Sequence, residues 1–286
     1  MGVPMSKRLK RAGYDLHVYD VDPRPVTVLE ELGAHRGETP KDLSSQVDVV
    51  ISMLPSPKIT REVVLGDDGI IHGLRLGCIY IDMSTSSPML SRELCRVLKE
   101  SGRDMLDAPV SGGIKGATEG SLTVMVGGDR QVFEKVEDIL SCMGSNVVHV
   151  GNIGDGHTIK VINNMLFAVN MAATSEALAL GMKAGVDPKI LRDVMNSSSG
   201  RSYALDVKVR DFVFPRNFEA GFAVELQNKD TDLALELAKD VGVPMILSGL
   251  VRQLYQMLVV KGYGRKDTSV IATLFEELMQ SGEIRP

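Results

Sequence analysis

The sequence predicts a doubly wound α/β sheet followed by an all-α C-terminal domain. In the first half, short apolar runs alternate with helical patterns, which is typical of βαβ units and a parallel sheet. From Gly156 onward the patterns are helical and rich in Ala, Met and Leu. No repeat or flexible linker separates the halves. We therefore expect two domains, residues 1–152 and residues 153–286.

The individual elements follow from apolar runs and from helical periodicity. Predicted strands are residues 16–20, 47–54, 78–83, 104–108, 122–127 and 147–150. Helical patterns such as residues 88–101 and 129–143 connect several of these strands. In the second half, helical patterns cover residues 160–185, 188–197, 225–241, 248–261 and 269–279.

Composition excludes several classes of protein. The chain has 286 residues, of which 44% are hydrophobic and 24% charged, so it can bury a core for one large or two ordinary domains. Its net charge of -5 gives no attraction to nucleic acid. Its apolar stretches are too short to span a bilayer by this reasoning, so no membrane partner is expected. The N-terminal residues also lack the regions of a signal peptide.

Cysteine and histidine spacing points to a reduced, metal-free protein. Cys78, Cys95 and Cys142 are far apart, without a CxxC pair, which suits reduced thiols in the cytoplasm. The five histidines show no HxxxH or other ligand spacing. We therefore expect no metal site.

The N-terminal stretch has the pattern of half a dinucleotide-binding unit. Gly2 begins a helical pattern, and Asp20 ends the strand that follows it. The spacing between these two residues is close to the spacing of about 20 residues that separates the motif glycine from the ribose-binding acid. A glycine at an ordinary helix start and an aspartate in a solvated turn would give the same pattern. Gly2 and Asp20 alone therefore do not show that the stretch binds a dinucleotide. If the unit is real, Asp20 favours NAD, whereas Arg24 shortly afterwards leaves NADP open.

Lys160 and Asn164 are candidates for proton transfer. They are four residues apart in a helical pattern, so both project from one face and can hold one oxygen atom. Oxidising an alcohol requires a group that accepts the hydroxyl proton while hydride leaves carbon. Burial beside a cationic nicotinamide would lower the pKa of a lysine into the useful range. A surface lysine lying along the helix is the alternative.

Several motifs together resemble the 3-hydroxyacid dehydrogenase family, and especially its 3-hydroxyisobutyrate-type members. They are MLPSP (53–57), IDMST (81–85), DAPVSGG (107–113), GNIGDGHTIKVINN (151–164), KD (229–230), LSCMGSNVVHVG (140–151) and SSGRS (198–202). The resemblance implies a Rossmann-type NAD(P)-binding domain and supports Lys160 and Asn164 as catalytic residues. It makes Gly2 part of the glycine motif, with Asp20 at the ribose.

The family motif begins with a strand and GxGxMGxPM, whose tail matches MGVPM at residues 1–5. The upstream strand and first two glycines are therefore expected to be missing, through a misplaced start codon or a real truncation, of which we favour the first. A chain without them should bind NAD more weakly and melt at a lower temperature than one that has them.

The remaining candidate residues lie in loops that suit ligand binding. Small residues after a strand allow backbone amides to approach a carboxylate. The resemblance implies that Ser111, Gly112 and Gly113 bind the substrate acid group. Leu54 and Pro55 end a strand where ligands bind in open α/β sheets. The resemblance implies that Leu54 and Pro55 contact the cofactor. It implies the same for Thr85 and Lys229.

The function implied is NAD-dependent interconversion of a small 3-hydroxyacid, such as 3-hydroxyisobutyrate, and its semialdehyde, with Lys160 as general acid and base. Reduction of tartronate or succinate semialdehyde is the alternative within the family. A catalytically inert cofactor-binding module is the alternative if the truncation is real. The partners expected are a small carboxylate substrate and further copies of the chain, in a homodimer or homotetramer.

Overall fold

The computed structural model describes residues 1–219 and 221–286. The chain divides into two compact units, Met1–Lys160 and Val161–Pro286. One long helix begins in the first unit and continues into the second. The domain boundary expected after residue 152 stays a prediction.

The first unit alternates strands and helices, as the sequence predicts. In chain order it contains α1 (Gly2–Arg11), β1 (His17–Val18), α2 (Pro23–Glu30), β2 (His35–Arg36), α3 (Pro40–Ser45), β3 (Val49–Ser52), α4 (Pro57–Leu65), β4 (Ile79–Asp82), α5 (Pro88–Glu100), β5 (Asp104–Asp107), β6 (Val110–Ser111), α6 (Gly113–Glu119), β7 (Thr123–Gly127), α7 (Arg130–Glu134), α8 (Glu137–Ser141), β8 (Asn146–Gly151) and the start of α9 (Asp155–Lys183). Each predicted strand overlaps an observed one. Strands β2 and β6 were not predicted because neither lies in an apolar run of strand length.

Proline and short polar side chains determine where many helices begin. Helices α2, α3 and α4 each have proline in the first turn, where its missing N–H and fixed φ cost nothing. The residues before them, Asp22, Thr39 and Ser56, each accept a hydrogen bond from a backbone N–H of the first turn. The prolines and the capping side chains together explain where these three helices begin.

The large sheet is parallel on one side and mixed on the other. Strands β3, β4 and β5 are parallel neighbours, and β7 runs parallel to β8. Strand β7 is antiparallel to β5 and β6, so the expectation of a wholly parallel sheet is wrong there. Residues 112–122, which join β6 to β7, are too few for a parallel crossover of a dozen or more residues.

Strands β1 and β2 form a separate two-stranded parallel sheet. Val18 of β1 packs with Val26 and Leu29 of α2 in a small apolar cluster. Among the described residues β1 pairs only with β2, and β3 only with β4. A doubly wound order would place one more strand between β1 and β3.

One predicted helix of the first unit is broken in the structure. The pattern over residues 129–143 predicts one helix, whereas α7 and α8 are two short helices. The backbone leaves helical geometry at Val136, with φ -122° and ψ 3°. The side chain of Val136 is 1% exposed and packs in the core of the first unit at this break.

The second unit is helical. It contains the rest of α9, then α10 (Pro188–Asn196), a π-helix (Ala204–Val213), α11 (Val224–Asp240), α12 (Ile246–Val260), a 3₁₀ turn (Thr268–Val270) and α13 (Ile271–Met279). Its main core joins α9, the π-helix, α12 and α13 around buried residues such as Met171, Val209 and Tyr255. The π-helix was not predicted, because no apolar period identifies it.

Helix α9 corrects the expectation that every apolar stretch is too short to span a bilayer. It has 29 residues, and an 18-residue window with mean hydropathy 1.3 meets the length and composition of a membrane span. Core helices of soluble proteins meet the same criterion. Helix α9 carries the buried polar side chains of His157, Lys160, Asn164 and Ser175.

Candidate active site

Lys160 and Asn164 lie one turn apart on α9, as their spacing predicts. The exposed fraction is 7% for Lys160 and 6% for Asn164. Lysine is seldom buried without a partner. Lys160 is therefore not a solvated surface lysine, which was the alternative that the sequence left open. The two side chains can hold a polar group where little water competes.

The first turn of α9 is held by the carboxylate of Asp107, at the carboxyl end of β5. Asp107 Oδ1 accepts a hydrogen bond from the Gly154 amide at 2.6 Å, and Oδ2 accepts one from the His157 amide at 2.7 Å. Burial raises the pKa of Asp107, although nearby His157 and both amide bonds oppose the rise. Asp107 thus fixes the helix just before Lys160.

Gly156 allows this close approach of the strand to the helix. A Cβ atom at Gly156 would lie 2.8 Å from Asp107 Oδ2 and would also collide with the carbonyl oxygen of Met125. Any side chain at residue 156 would therefore push α9 away from β5. The glycine in GDGH has a packing role as well as a place in the motif.

His157 ties the same turn to the loop after β4. Its Nε2 lies 3.0 Å from the Ser84 carbonyl oxygen, and its Nδ1 lies 2.7 Å from Ser91 Oγ. Because a carbonyl oxygen only accepts, Nε2 donates, and in the neutral ring Nδ1 accepts from Ser91. Ser84 Oγ in turn accepts a hydrogen bond from the Leu54 amide at 2.8 Å. The network joins the ends of β3 and β4 to α9.

The residues predicted to bind cofactor in these loops are accessible. Leu54 and Thr85 are partly buried and Pro55 is exposed, and they follow the carboxyl ends of the parallel strands β3 and β4. This edge of an open α/β sheet is where ligands bind. The structure therefore brings these three residues to one edge of the sheet.

Gly2 and Asp20, which the sequence predicts to bind cofactor, lie at the start of α1 and just beyond β1. Asp20 is exposed. Arg24, which left NADP open, pairs with Asp22, with Arg24 Nη2 2.6 Å from Asp22 Oδ2. This hydrogen bond lowers the pKa of Asp22. A ribose with two free hydroxyls suits the exposed Asp20 carboxylate.

Ser111, Gly112 and Gly113 form an open turn at the end of β6. Gly112 has φ +131° and Gly113 has φ +63°, a region that side chains disfavour. Both glycines are exposed, and Ser111 is partly buried. Backbone amides and a hydroxyl are therefore accessible here for an anionic group.

In the second unit, Asn164 is oriented by Asp230 of α11. Asn164 Nδ2 donates to Asp230 Oδ2 at 2.6 Å, and the side chain of Gln227 donates to the Asn164 carbonyl oxygen at 3.0 Å. Lys229 Nζ lies 2.9 Å from Asp230 Oδ1. The predicted residues Asn164 and Lys229 therefore share one buried carboxylate.

Three residues of this arrangement were not predicted as functional, namely Asp107, His157 and Asp230. In the sequence, Asp107 is one residue of DAPVSGG and Asp230 is the neighbour of Lys229. His157 belongs to no metal-ligand pattern, so the sequence gives no signal for it. A carboxylate at the end of a buried strand was the one available signal for Asp107.

Two family descriptions match the chain over most of its length. Residues 1–151 match the NAD binding domain of 6-phosphogluconate dehydrogenase, and residues 154–275 match a region described as NAD-binding of NADP-dependent 3-hydroxyisobutyrate dehydrogenase. The 2-(hydroxymethyl)glutarate dehydrogenase of Eubacterium barkeri is 37% identical over 278 residues, covering 97% of this chain and 92% of that protein. The chain belongs to the 3-hydroxyacid dehydrogenase family.

Other members of the family are similarly related. The mitochondrial 3-hydroxyisobutyrate dehydrogenase of Rattus norvegicus is 40% identical over 284 residues, covering 97% of this chain and 85% of that protein. The solved structure of Mycobacterium tuberculosis 3-hydroxyisobutyrate dehydrogenase with L-serine has a TM-score of 0.90 and 30% identity. It covers 96% of this chain and 95% of that one. The family and the Rossmann-type fold are thus confirmed.

As a member of this family, the protein is a hydroxyacid dehydrogenase that acts on a CH–OH group with a nicotinamide dinucleotide, NAD or NADP. The exposed Asp20 carboxylate and the accessible loops after β3 and β4 fit such a cofactor. The roles of individual site residues stay predictions.

Proposed function

We propose that the protein interconverts 3-hydroxyisobutyrate, or a closely similar 3-hydroxyacid, and its semialdehyde, with Lys160 as general acid and base. The burial of Lys160 is the observation on which this proposal rests. The lysine is only 7% exposed and lies one turn from a buried asparagine, which fits a role in proton transfer and not that of a solvated surface residue. In the oxidation the neutral amine of Lys160 takes the hydroxyl proton. In the reduction its ammonium returns that proton to the carbonyl oxygen.

We propose NAD as the preferred cofactor, held by Gly2, Asp20, Leu54, Pro55, Thr85 and Lys229. When bound, the nicotinamide accepts the hydride that leaves the alcohol carbon. Asp20 would accept hydrogen bonds from the ribose hydroxyls and repel a 2′-phosphate. The guanidinium of Arg24 is already paired with Asp22, which leaves it less suited to bind that phosphate.

Ser111, Gly112 and Gly113 would bind the carboxylate of the substrate. Their hydroxyl and amides are accessible, and charge-assisted hydrogen bonds to a carboxylate are stronger than neutral ones. Asn164 would position the hydroxyl, because its side-chain amide is held by Asp230. A small acid fixed at its carboxylate and hydroxyl presents one carbon for hydride transfer.

The main alternative is a different small acid with the same two groups. Relatives are named for 2-(hydroxymethyl)glutarate and 3-hydroxyisobutyrate, and one similar structure was solved with L-serine. Reduction of tartronate or succinate semialdehyde also uses a carboxylate and a proton donor. An inert module is disfavoured because Lys160, Asn164 and Ser111 are all present.

We also propose a homodimer or homotetramer in a reducing compartment such as the cytoplasm. Exposed apolar side chains on α12, including Ile246, Leu247 and Leu250, suit burial against a second copy. The three cysteines are all free thiols. Light scattering after gel filtration would measure the mass, and a monomer at micromolar concentration would contradict the oligomer.

The test of the proposed activity is a substrate panel. The chain should be assayed with 3-hydroxyisobutyrate, L-serine, 2-(hydroxymethyl)glutarate, glycerate and 4-hydroxybutyrate, each with NAD and with NADP. We expect the highest kcat/KM for 3-hydroxyisobutyrate with NAD. A higher kcat/KM for another acid would overturn the substrate assignment, and a higher value with NADP would overturn the cofactor preference.

A further inference from the structure

Three side chains outside the proposed active site form a cluster of metal-ligand type. They are Asp15, His17 and His35, whose ligand atoms all lie within 4.8 Å of one another. His17 Nε2 lies 3.8 Å from Asp15 Oδ2, and His35 Nε2 lies 3.2 Å from Asp15 Oδ1. Histidine spacing along the chain does not predict this cluster, because strand pairing creates it.

The backbone of the small sheet brings the two histidine side chains to one face, next to Asp15. His17 of β1 and His35 of β2 are register partners in the parallel pair, so their side chains project from the same face. Their rings are 4.9 Å apart, between centroids. Asp15 lies two residues before His17, just outside β1, and its carboxylate oxygens lie 3.8 Å from His17 Nε2 and 3.2 Å from His35 Nε2. Val18, in contrast, packs into the apolar cluster with α2.

The distances between donor atoms are close to those around a tetrahedral metal ion. With zinc bonds of about 2.0–2.1 Å, neighbouring ligand atoms are about 3.3 Å apart. The distances of 3.2 and 3.8 Å from the Asp15 carboxylate lie near this value. Each Nε2 atom lies near a different oxygen of the Asp15 carboxylate, Oδ2 for His17 and Oδ1 for His35.

We propose that Asp15, His17 and His35 bind one divalent transition-metal ion, of which Zn²⁺ is the best match. Two imidazoles and a carboxylate are a zinc ligand set, with water in the fourth position. The side chains of Asp15 and His35 are 73% and 60% exposed, so an ion can enter from solvent, whereas His17 is 15% exposed and anchored. Bound metal would cross-link β1 to β2 and stabilise the small sheet.

The metal cluster is separate from the predicted cofactor residues. Asp15 precedes the amino end of β1, whereas Asp20 follows its carboxyl end. Metal binding should therefore leave NAD affinity unchanged. This makes the proposal independent of the proposed enzyme activity, since its test needs no substrate.

The test is calorimetric titration of the full chain with ZnCl₂ in a buffer that does not chelate zinc. Wild type should bind one Zn²⁺ per chain. His35→Ala and Asp15→Asn should each weaken binding at least about tenfold, because loss even of a residue that only supports a ligand costs roughly 10–100-fold. His72→Ala is the matched control, since His72 is an exposed histidine outside the cluster, and should bind like wild type.

Thermal unfolding provides the second measurement. Saturating Zn²⁺ should raise the melting temperature of wild type by several degrees and that of His35→Ala by much less. Circular dichroism of both proteins without metal should be the same, because His35 is a surface residue. Equal zinc affinity in wild type and His35→Ala, for example through the cysteines, would overturn the proposal. So would the lack of any one-to-one binding in wild type.

Discussion

Asp107→Asn tests whether the start of α9 is held by a buried carboxylate. The carboxylate accepts hydrogen bonds from the amides of Gly154 and His157 at 2.6 and 2.7 Å, and its side chain is fully buried. Asparagine has the same shape but only one acceptor oxygen, so its NH₂ group would face a backbone N–H. The substitution thus removes one bond and buries a donor without a partner.

The expected loss of stability is moderate. A hydrogen bond to a charged group contributes about 1.5–3 kcal/mol, and the neutral amide escapes part of the desolvation cost of the carboxylate. We therefore expect a loss of about 1–2 kcal/mol at neutral pH. At roughly 2–4 °C per kcal/mol, this lowers the melting temperature by about 2–8 °C.

The pH dependence of this loss has a definite sign. Burial raises the pKa of Asp107 in the folded protein above its ordinary value of 3.8. The contribution of Asp107 to stability is therefore fully present below that value and decreases as pH rises through the raised pKa. The asparagine of the variant does not titrate, so the stability difference between wild type and Asp107→Asn should be larger at acid pH than at neutral pH.

Turnover should fall as well, because Lys160 follows His157 by less than one turn of α9. A displacement of about 1 Å in a catalytic group can cost roughly 100-fold in rate, so we expect kcat to fall about 10- to 100-fold. Asp104→Asn makes the same chemical change at the other end of β5 and is the control. If Asp107→Asn matched wild type in melting temperature and kcat, the role assigned to Asp107 would be refuted.

Three further substitutions test the remaining contacts. Ser111→Ala should raise KM for acids about tenfold or more. Replacing the acid substrate by its neutral amide should reduce the activity of wild type more than that of the variant; equal reductions would show that Ser111 does not bind the carboxylate. Asp20→Arg should lower the ratio of kcat/KM with NAD to kcat/KM with NADP at least about tenfold. An unchanged ratio would show that Asp20 does not determine the cofactor preference. Asp230→Asn should reduce kcat about tenfold by loosening Asn164, and it should also weaken NAD binding because Lys229 pairs with the same carboxylate; wild-type kcat would contradict this.

The predictable part of the fold is the part set by local patterns. Strand β4 was predicted because Ile79, Tyr80 and Ile81 form an apolar run, and in the structure these residues and Asp82 are all buried. Strand β2 was not, because His35 and Arg36 are exposed and show no apolar alternation. The short connection between β6 and β7 explains why β7 is antiparallel to β6. The sequence does not predict β6 as a strand, so it could not predict this direction either.

The same limit applies to the site. The spacing of four residues put Lys160 and Asn164 on one face of a helix, as the structure confirms. The role of Asp107 could not be predicted, because its partners Gly154 and His157 are 47 and 50 residues away in sequence. Contacts of this kind are fixed by the packing of β5 against α9, which no local pattern records.

The most direct test of the proposed mechanism is the turnover of Lys160→Ala with the best hydroxyacid of the panel. General acid–base catalysis contributes about 10²- to 10⁴-fold, so kcat should fall into the upper part of that range while the dissociation constant for NAD stays nearly unchanged. Lys183→Ala, at the exposed end of the same helix, should keep wild-type kcat. If Lys160→Ala kept more than about a tenth of wild-type kcat, its contribution would be below about 1.4 kcal/mol, and Lys160 would not be the general acid and base.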